Sequence, residues 1–434
     1  MFSFQLSQDQ TDAVDGVCNQ LLNNIALSNS PSIAVLTGAA GTGKTTVVGE
    51  IINRIKQYNP LLQVSLCATT HRAAEVLSDI VDAPVSTGHT LFKLKPGITK
   101  YGKETLKKTG ICDISFDSVV IIDEASMIGN KFLEAIVDTV KHRNLKVLFV
   151  GDPFQLPPPA DTCSIFDGSL LTFSLTKVHR QIGGSPILDK ATQFRQFIEG
   201  SIRTEPPIDT DLNSAGEGIH VLPHADFITK FVGKYISYTT GAEVDIPLCT
   251  YTNESALNYN NMVRKAAYFL EDTIAPFYRG ERLIANSVVI QDERIVLTNN
   301  EIVHVQSYTE TEQYTIPGYL VTLKGDYNKY TKSNIKRVFS PKSTVAATKV
   351  LDQFKDTAIK HSSRENWTNF YKIKNALADL RPPFAGTTHK AQGGTFPAVF
   401  IDKININKCR DPKTRARLFY VALTRASNNV YINS

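Results

Sequence analysis

Two patterns of apolar residues alternate over the first 200 positions. Short runs rich in β-branched side chains, SIAVLTG (32–38), VSLCATT (64–70), SVVIIDEA (118–125) and LKVLFVGD (145–152), are nearly continuously apolar, as strands covered on both faces are. Between them, KTTVVGEIINRIKQY (44–58) and HRAAEVLSDIV (71–81) repeat apolar residues at helical spacing. Strand, helix, strand in repetition predicts a doubly wound α/β sheet. SPILDKATQFRQFIEG (185–200) reads as a further helix, with Ile187, Leu188, Ala191, Phe194 and Ile198 on one face.

A second α/β region starts near IPLCTYT (246–252) and the helix ESALNYNNMVRKAAYFL (254–270). It is then interrupted. Short alternating strands such as EIVHVQSYT and GYLVTLKGDY fill about 280–340 and predict a small β-barrel, and about 344–378 is helical. The α/β pattern resumes at AVFID (398–402), passes through a helix over 413–425 and closes on the strand NNVYINS. A sheet completed only after such an insertion is one domain carrying a guest. The expected divisions are 1–180, 181–279, an insertion over 280–384, and the completing segment 385–434. No internal sequence repeat is visible.

Composition narrows the class. The 434 residues exceed what one core organises, and 42% hydrophobic with 21% charged residues is ordinary for a globular protein. No apolar run reaches membrane-spanning length, and MFSFQLSQDQTDAV lacks the layout of a signal peptide, so a cytoplasmic setting is expected. The six cysteines form no CxxC pair, which signals neither zinc nor a disulfide framework. A net charge of +5 is too small to identify a partner; only local clustering is informative.

The first chemistry lies at GAAGTGKT, residues 38–45, which matches G-x-x-x-x-G-K-[ST] after a predicted strand and at the start of a helix. Glycines there let successive backbone N–H groups face phosphate oxygens at a helix N-terminus. The nucleotide contacts expected are Gly38, Ala39, Ala40, Gly41, Thr42, Gly43, Lys44, Thr45 and Thr46. Lys44 would reach the β- and γ-phosphates of ATP, and the Thr45 hydroxyl would serve Mg²⁺. IIDEAS (121–126) supplies the acids: Asp123 for the metal and Glu124 to orient and deprotonate the attacking water. GDPFQLPP (151–158) places Asp152 and Gln155 beside the γ-phosphate. KVHRQ and YVALTRA present Arg180 and Arg425, whose planar forks suit the charge developing on a transferring phosphoryl group.

The ordered set GAAGTGKT, TTHRAA, IIDEAS, GDPFQLPP, KVHRQ, GTTHKAQGGTF and YVALTRA resembles helicase superfamily 1, branch B, of the RecD/Dda type, over nearly the whole chain. Length and the small insertion are most similar to the phage Dda-like helicases. The resemblance implies two RecA-like domains with ATP in the cleft between them. It implies that Gln10 bonds the adenine edge, that Arg180 and Arg425 act as fingers, and that the insertion is an SH3-like barrel with a helical tower holding Trp367 and Phe370.

It also implies a track for single-stranded DNA through Thr70, His71 and Arg72, through His89, Thr90 and Phe92, and through Thr388, His389 and Lys390, with Thr388 the leading phosphate contact. A hairpin over about 93–112, rich in lysine, becomes the pin that splits the duplex, with Tyr101 or the Thr105–Leu106 pair meeting the first base pair. Gln392 and Gly393 border the nucleotide, so that a side chain at Gly393 would crowd ATP. Thr395 stands where many relatives carry an acid for the ribose, which predicts weak discrimination between ATP and dATP.

The implied activity is ATP- and Mg²⁺-dependent unwinding with 5′-to-3′ translocation, in replication, recombination or repair. The implied partners are single-stranded and forked duplex DNA and a single-strand-binding protein or replisome, with the monomer as the working unit. Two alternatives stay open: an RNA helicase or nucleoprotein remodeller of the same superfamily, and a DNA-binding adaptor switched by ATP without unwinding.

Overall fold

The protein is described by a computed structural model covering residues 6–27, 32–81, 84–98, 104–108, 110–158, 161–177, 185–236, 247–268, 275–299, 301–325, 335–361 and 363–434. In the first body, α1 (Gln8–Leu27) leads to β1 (Ser32–Gly38), α2 (Lys44–Tyr58), β2 (Val64–Ala68), α3 (His71–Val81), β3 (Ser86–Thr87) and α4 (Gly88–Leu91). A hairpin of β4 (Leu94–Ile98) and β5 (Glu104–Lys108) follows, then β6 (Val119–Asp123), α5 (Asn130–Arg143), β7 (Lys146–Gly151) and β8 (Leu171–Leu175). The sheet order is β3-β2-β6-β7-β1-β8, and every pairing in it is parallel. The four strands foreseen from hydrophobicity are its centre. The two others escape that signal because β3 is two residues long and β8 is largely exposed.

The second body contains α6 (Pro186–Glu199), β9 (Asp211–Leu212), β10 (Gly218–Leu222), α7 (His224–Ile236), β11 (Leu248–Thr250) and α8 (Asn253–Ala267). The insertion comes next: β12 (Arg282–Ala285), β13 (Val289–Gln291), β14 (Arg294–Leu297), β15 (Ile302–Gln313), β16 (Ile316–Gly325), β17 (Ile335–Pro341), α9 (Thr344–Lys360), α10 (Arg364–Ala376) and β18 (Leu380–Arg381). The chain then returns through β19 (Ala385–Thr387), α11 (Thr388–Ala391), β20 (Phe396–Ile401), α12 (Lys403–Ile406), α13 (Pro412–Thr424) and β21 (Ala426–Asn433). The second sheet runs β19-β11-β20-β21-β10-β9, parallel except for the β9–β10 edge.

In chain order, β3-β2-β6-β7-β1 and β19-β11-β20-β21-β10 have one topology. The molecule therefore repeats one sheet architecture without a visible sequence repeat. Local chemistry is alike at equivalent points. Thr70 caps α3 by accepting from the Ala73 N–H at 3.2 Å, and Thr252 caps α8 by accepting from the Ser255 N–H at 3.3 Å. Short turns of helix follow both edge strands, at TGHT and TTHK.

The insertion packs around its own apolar cluster in an antiparallel sheet of order β17-β16-β15-β12-β18. Trp367 and Phe370 meet edge to face at 5.9 Å, and Phe370 is buried, so this pair serves packing. A buried ion pair joins insertion to sheet: Arg264 on α8 donates from Nε to Glu281 Oε1 at 2.6 Å and from a terminal nitrogen to Oε2 at 3.1 Å. Among the described residues no helix is long and apolar enough to cross a membrane.

Candidate functional site

The phosphate loop bends where its glycines permit. Gly41 and Gly43 have φ of 84° and 80°, the left-handed region, and α2 starts at Lys44 directly afterwards. The Lys44 ammonium donates to the Gly38 carbonyl at 2.8 Å and to that of Ala39 at 3.1 Å. It thus lies over the concave side of the loop. Gln10 braces the loop instead of presenting a free amide. It is buried, donates to the Thr42 carbonyl at 3.0 Å and accepts from the Ser7 N–H at 3.1 Å.

Two carboxylates sit side by side at the end of β6. Burial, and then the charge of Glu124, push the Asp123 carboxyl up to about 6, while Lys44 opposes this. Glu124 adopts a left-handed backbone at φ 54°, costly for a residue with a Cβ. The turn is held because the Glu124 carbonyl accepts from the Thr69 hydroxyl and the Met127 N–H, both at 3.1 Å. Its Oε2 is buried without a hydrogen-bond partner. An under-compensated pair of carboxylates is an oxygen donor set that fits Mg²⁺. Sequence reading missed Thr69, which ties the start of α3 to the acid.

The 152–156 loop of the first body is locked into the second. Asp152 is fully buried and accepts from the Tyr420 hydroxyl of α13 and from the Phe154 N–H. Arg417, one turn before Tyr420 on the same helix face, donates to the Pro153 and Gln155 carbonyls, both at 2.7 Å. Leu156 is buried within the second body's apolar cluster, among residues such as Phe194, Phe419 and Val399. Gln392 donates to Gln155 Oε1 at 3.3 Å and to the Leu156 carbonyl at 3.2 Å. Between the bodies lies a cavity of about 260 Å³, lined by Ala39 and Ala40 of the loop, by α6 and by Tyr420 and Thr424. A larger groove of about 490 Å³, around Glu205, Arg415 and Phe419, includes no phosphate-loop residue.

Comparisons with known proteins agree with this architecture. A family profile described as an AAA domain matches residues 5–198, and one described as a UvrD-like helicase C-terminal domain matches 383–432. The chain is 24% identical over 439 residues to the ATP-dependent DNA helicase dda of Enterobacteria phage T4, covering 94% of this chain and 95% of that protein. It is 29% identical over 188 residues to the ATP-dependent RecD2 DNA helicase of Deinococcus radiodurans, covering 43% of this chain and 23% of that one. The chain is homologous to DNA helicases of superfamily 1B. A solved Pif1 helicase structure, described for unwinding at forked double-stranded DNA by two coordinating Pif1 helicases, is 16% identical. It aligns with a TM-score of 0.50 over 99% of this chain and 92% of that one, a likeness of fold.

The expected site residues do not all lie together. The Lys44 charge acts on Asp123, which adjoins Glu124, and Gln155 sits in the loop that Gln392 holds. Arg180 and Tyr101 lie outside the described residues. Arg425 is buried and turned inward: it donates to the carbonyls of Val421 at 3.2 Å and Gly394 at 3.1 Å and to the Thr424 hydroxyl at 3.2 Å. In this conformation it holds the Gly-Gly turn rather than facing a phosphate.

Phe92 corrects the DNA track. It is 1% exposed and packs edge to face on Phe132 at 6.3 Å, so it offers no face to a base. His89 and Thr90 are exposed beside it, with His89 stacked on Phe132 at 4.3 Å. His71 and Arg72 open α3, and Thr70 caps it. In the hairpin, Leu106 packs against the first body's core and so does not reach outward. Two lysines there are already paired: Lys93 with Asp113 and Lys108 with Asp138, both at 2.8 Å. Charge in the 93–108 stretch is thereby weaker than its lysine count suggests.

The segment GTTHKAQGGTF needs two corrections. Thr388 is fully buried and donates to the Thr250 carbonyl at 3.2 Å, so it positions α11 instead of meeting a phosphate. Gly393, at φ 80°, does not border the nucleotide loop: a Cβ there would lie 2.9 Å from Ala73 Cβ and 3.3 Å from the Thr70 hydroxyl. His389 and Lys390 are half-exposed, and Thr395 is exposed. Burial, and then the charge of Arg381, lower the Lys390 ammonium to about 8.

Proposed function

We propose that this protein is an ATP- and Mg²⁺-dependent DNA helicase that moves 5′ to 3′ along single-stranded DNA and opens duplexes ahead of it. One observation carries the reading. The Gln392–Gly393 pair touches both the 152–156 loop, through Gln155 and Leu156, and the start of α3, through Thr70 and Ala73. A single turn of the second body therefore bears on a phosphate-sensing loop and on an element of the strand-binding track.

In this reading the phosphate-loop amides and Lys44 hold the triphosphate, and Glu124, through its unpartnered oxygen, orients and deprotonates water. Mg²⁺ held by Thr45 and Asp123 would neutralise phosphate charge. Gln155 would sense the terminal phosphate, and the hydrogen bond from Gln392 would carry its movement to the second body. Opening one base-pair step costs roughly 1.4 kcal/mol of stacking on average, so one hydrolysis cycle comfortably covers a short step if closure is transmitted. His89, Thr90, His389 and Lys390 present polar groups at equivalent edges of the two sheets, suited to gripping one backbone alternately. The likeness to the ATP-dependent DNA helicase dda of phage T4 supports ATP and DNA as the substrates.

The deciding experiment offers forked duplexes bearing a single 5′ or 3′ single-stranded tail, with ATP and Mg²⁺. Unwinding from the 5′ tail is expected. Unwinding only from the 3′ tail overturns the polarity, and stimulation by RNA but not DNA oligonucleotides transfers the activity to RNA.

A further inference from the structure

Arg195 lies on α6 and belongs to none of the motifs that mark the ATP site. Residues Ile187, Ala191, Phe194 and Ile198 of that helix are buried in the second body's core. Leu188, Thr192 and Arg195, spaced i, i+4 and i+7, form the neighbouring stripe and line the cavity of about 260 Å³. Ala39 and Ala40 of the phosphate loop line the same cavity. The Arg195 Nε is buried without a hydrogen-bond partner. Among the described residues the side chain makes no hydrogen bond or ion pair, and its guanidinium carbon lies 6.0 Å from the centre of the Phe154 ring. Asp189 lines the same cavity but does not pair with it. A cation with a buried, unsatisfied donor, facing a loop shaped for phosphate, lacks its anion.

We propose that Arg195 is a phosphate-binding residue of the ATP site, contributed across the cleft by α6 and directed at the terminal phosphoryl group. This rests on the ATP-hydrolysing function proposed above. The geometry gives the residue a second consequence. Burial pushes the Tyr420 phenol well above its ordinary range, and the nearby Arg195 charge opposes that shift. Tyr420 also holds Asp152. An anion that draws Arg195 forward thus alters the surroundings of the bond that locks the 152–156 loop, so α6 reports the terminal phosphate to the second body.

The test uses the full chain with Arg195→Gln and Arg195→Lys, measuring ATP turnover and the affinities for ADP and for ADP with aluminium fluoride. With Arg195→Gln, turnover is expected to fall on the order of 10³-fold, as for arginines that stabilise a transferring phosphoryl group. Affinity for ADP should stay within about threefold, while that for ADP–aluminium fluoride falls about 30-fold or more, because the contact is made only to the terminal group. Arg195→Lys should recover part of the loss, since an ammonium lacks the bidentate fork. Equal loss of both affinities, or turnover within about threefold of wild type, overturns the inference. If Arg195→Gln fails to fold by circular dichroism, the lysine variant decides by the same measurements. Lys44→Ala separates the two levels: retained turnover there refutes the ATP site itself, whereas lost turnover with an indifferent Arg195 refutes only this inference.

Discussion

Gly393 abuts Ala73 of the opposite body so closely that a Cβ on it would lie 2.9 Å from the Ala73 Cβ. The two halves of the helicase meet here through a residue with no side chain, held at φ 80°. Gly393→Ala forces a left-handed alanine, at about 1–2 kcal/mol, and crowds a packed contact, at about 1–3 kcal/mol more. The expected result is unwinding reduced at least about tenfold, each 1.4 kcal/mol corresponding to a factor of ten, with nucleotide affinity near wild type. Fluorescent-nucleotide titration beside a fork assay checks both. A selective loss of nucleotide affinity would instead restore the expectation that Gly393 borders ATP.

Glu124 combines an unpartnered buried oxygen with a strained backbone. Glu124→Gln keeps the shape and removes the base. Turnover should fall about 10²–10⁴-fold, the usual worth of a positioned general base. ATP binding should persist, so the variant should remain trapped on ATP and single-stranded DNA. Single-turnover hydrolysis is the measurement, and near-normal turnover would move the base elsewhere.

The parts legible in the sequence are those whose signal is local. Helix α2 spans Lys44–Tyr58, as its apolar period predicts, because one stripe of Val47, Val48, Ile51, Ile52 and Ile55 turns to its own core. The phosphate loop is equally local. What was illegible belongs to surfaces made by distant chain. Asp152 and Tyr420 are 268 residues apart, and no pattern within either segment announces their bond. Leu156 reads as a loop residue yet is buried in the other body's core. Arg195 reads as a solvated helix position because only the opposing phosphate loop makes it a cleft residue. Phe92 and Thr388 err in the opposite sense. Each sits in a polar stretch that suggests exposure, while tertiary packing buries it.

Arg264 and Glu281 give a stability prediction away from the cleft. Their paired hydrogen bonds are buried, and Glu281 also accepts from the Tyr278 N–H at 3.0 Å. Arg264→Ala leaves that carboxylate buried and uncompensated, which costs about 3–5 kcal/mol. Thermal or urea unfolding should show the insertion and α8 loosening first. Replacing both residues with apolar ones of similar volume should recover much of the loss, whereas a silent single variant would contradict the buried-pair account.

Lys390 supplies a pH dependence whose sign is fixed by its surroundings. Burial, and then Arg381, lower its ammonium from 10.5 to about 8. If Lys390 holds a DNA phosphate, affinity for single-stranded DNA is present below about 8 and declines as pH rises through it, while lysines of ordinary pKa keep their charge. Salt dependence should weaken over the same range, because one fewer counterion is displaced. Folding moves in the opposite direction. The unfolded chain holds the Lys390 proton up to about 10.5, so between about 8 and 10.5 the unfolded state binds more protons and the fold gains stability from this residue as pH rises. Weaker binding across that window therefore does not come from unfolding at Lys390. Lys390→Arg stays charged throughout and should flatten the profile. Fluorescence anisotropy with a short labelled oligonucleotide between pH 7 and 9 makes the comparison; matching profiles for wild type and Lys390→Arg would remove Lys390 from the DNA track.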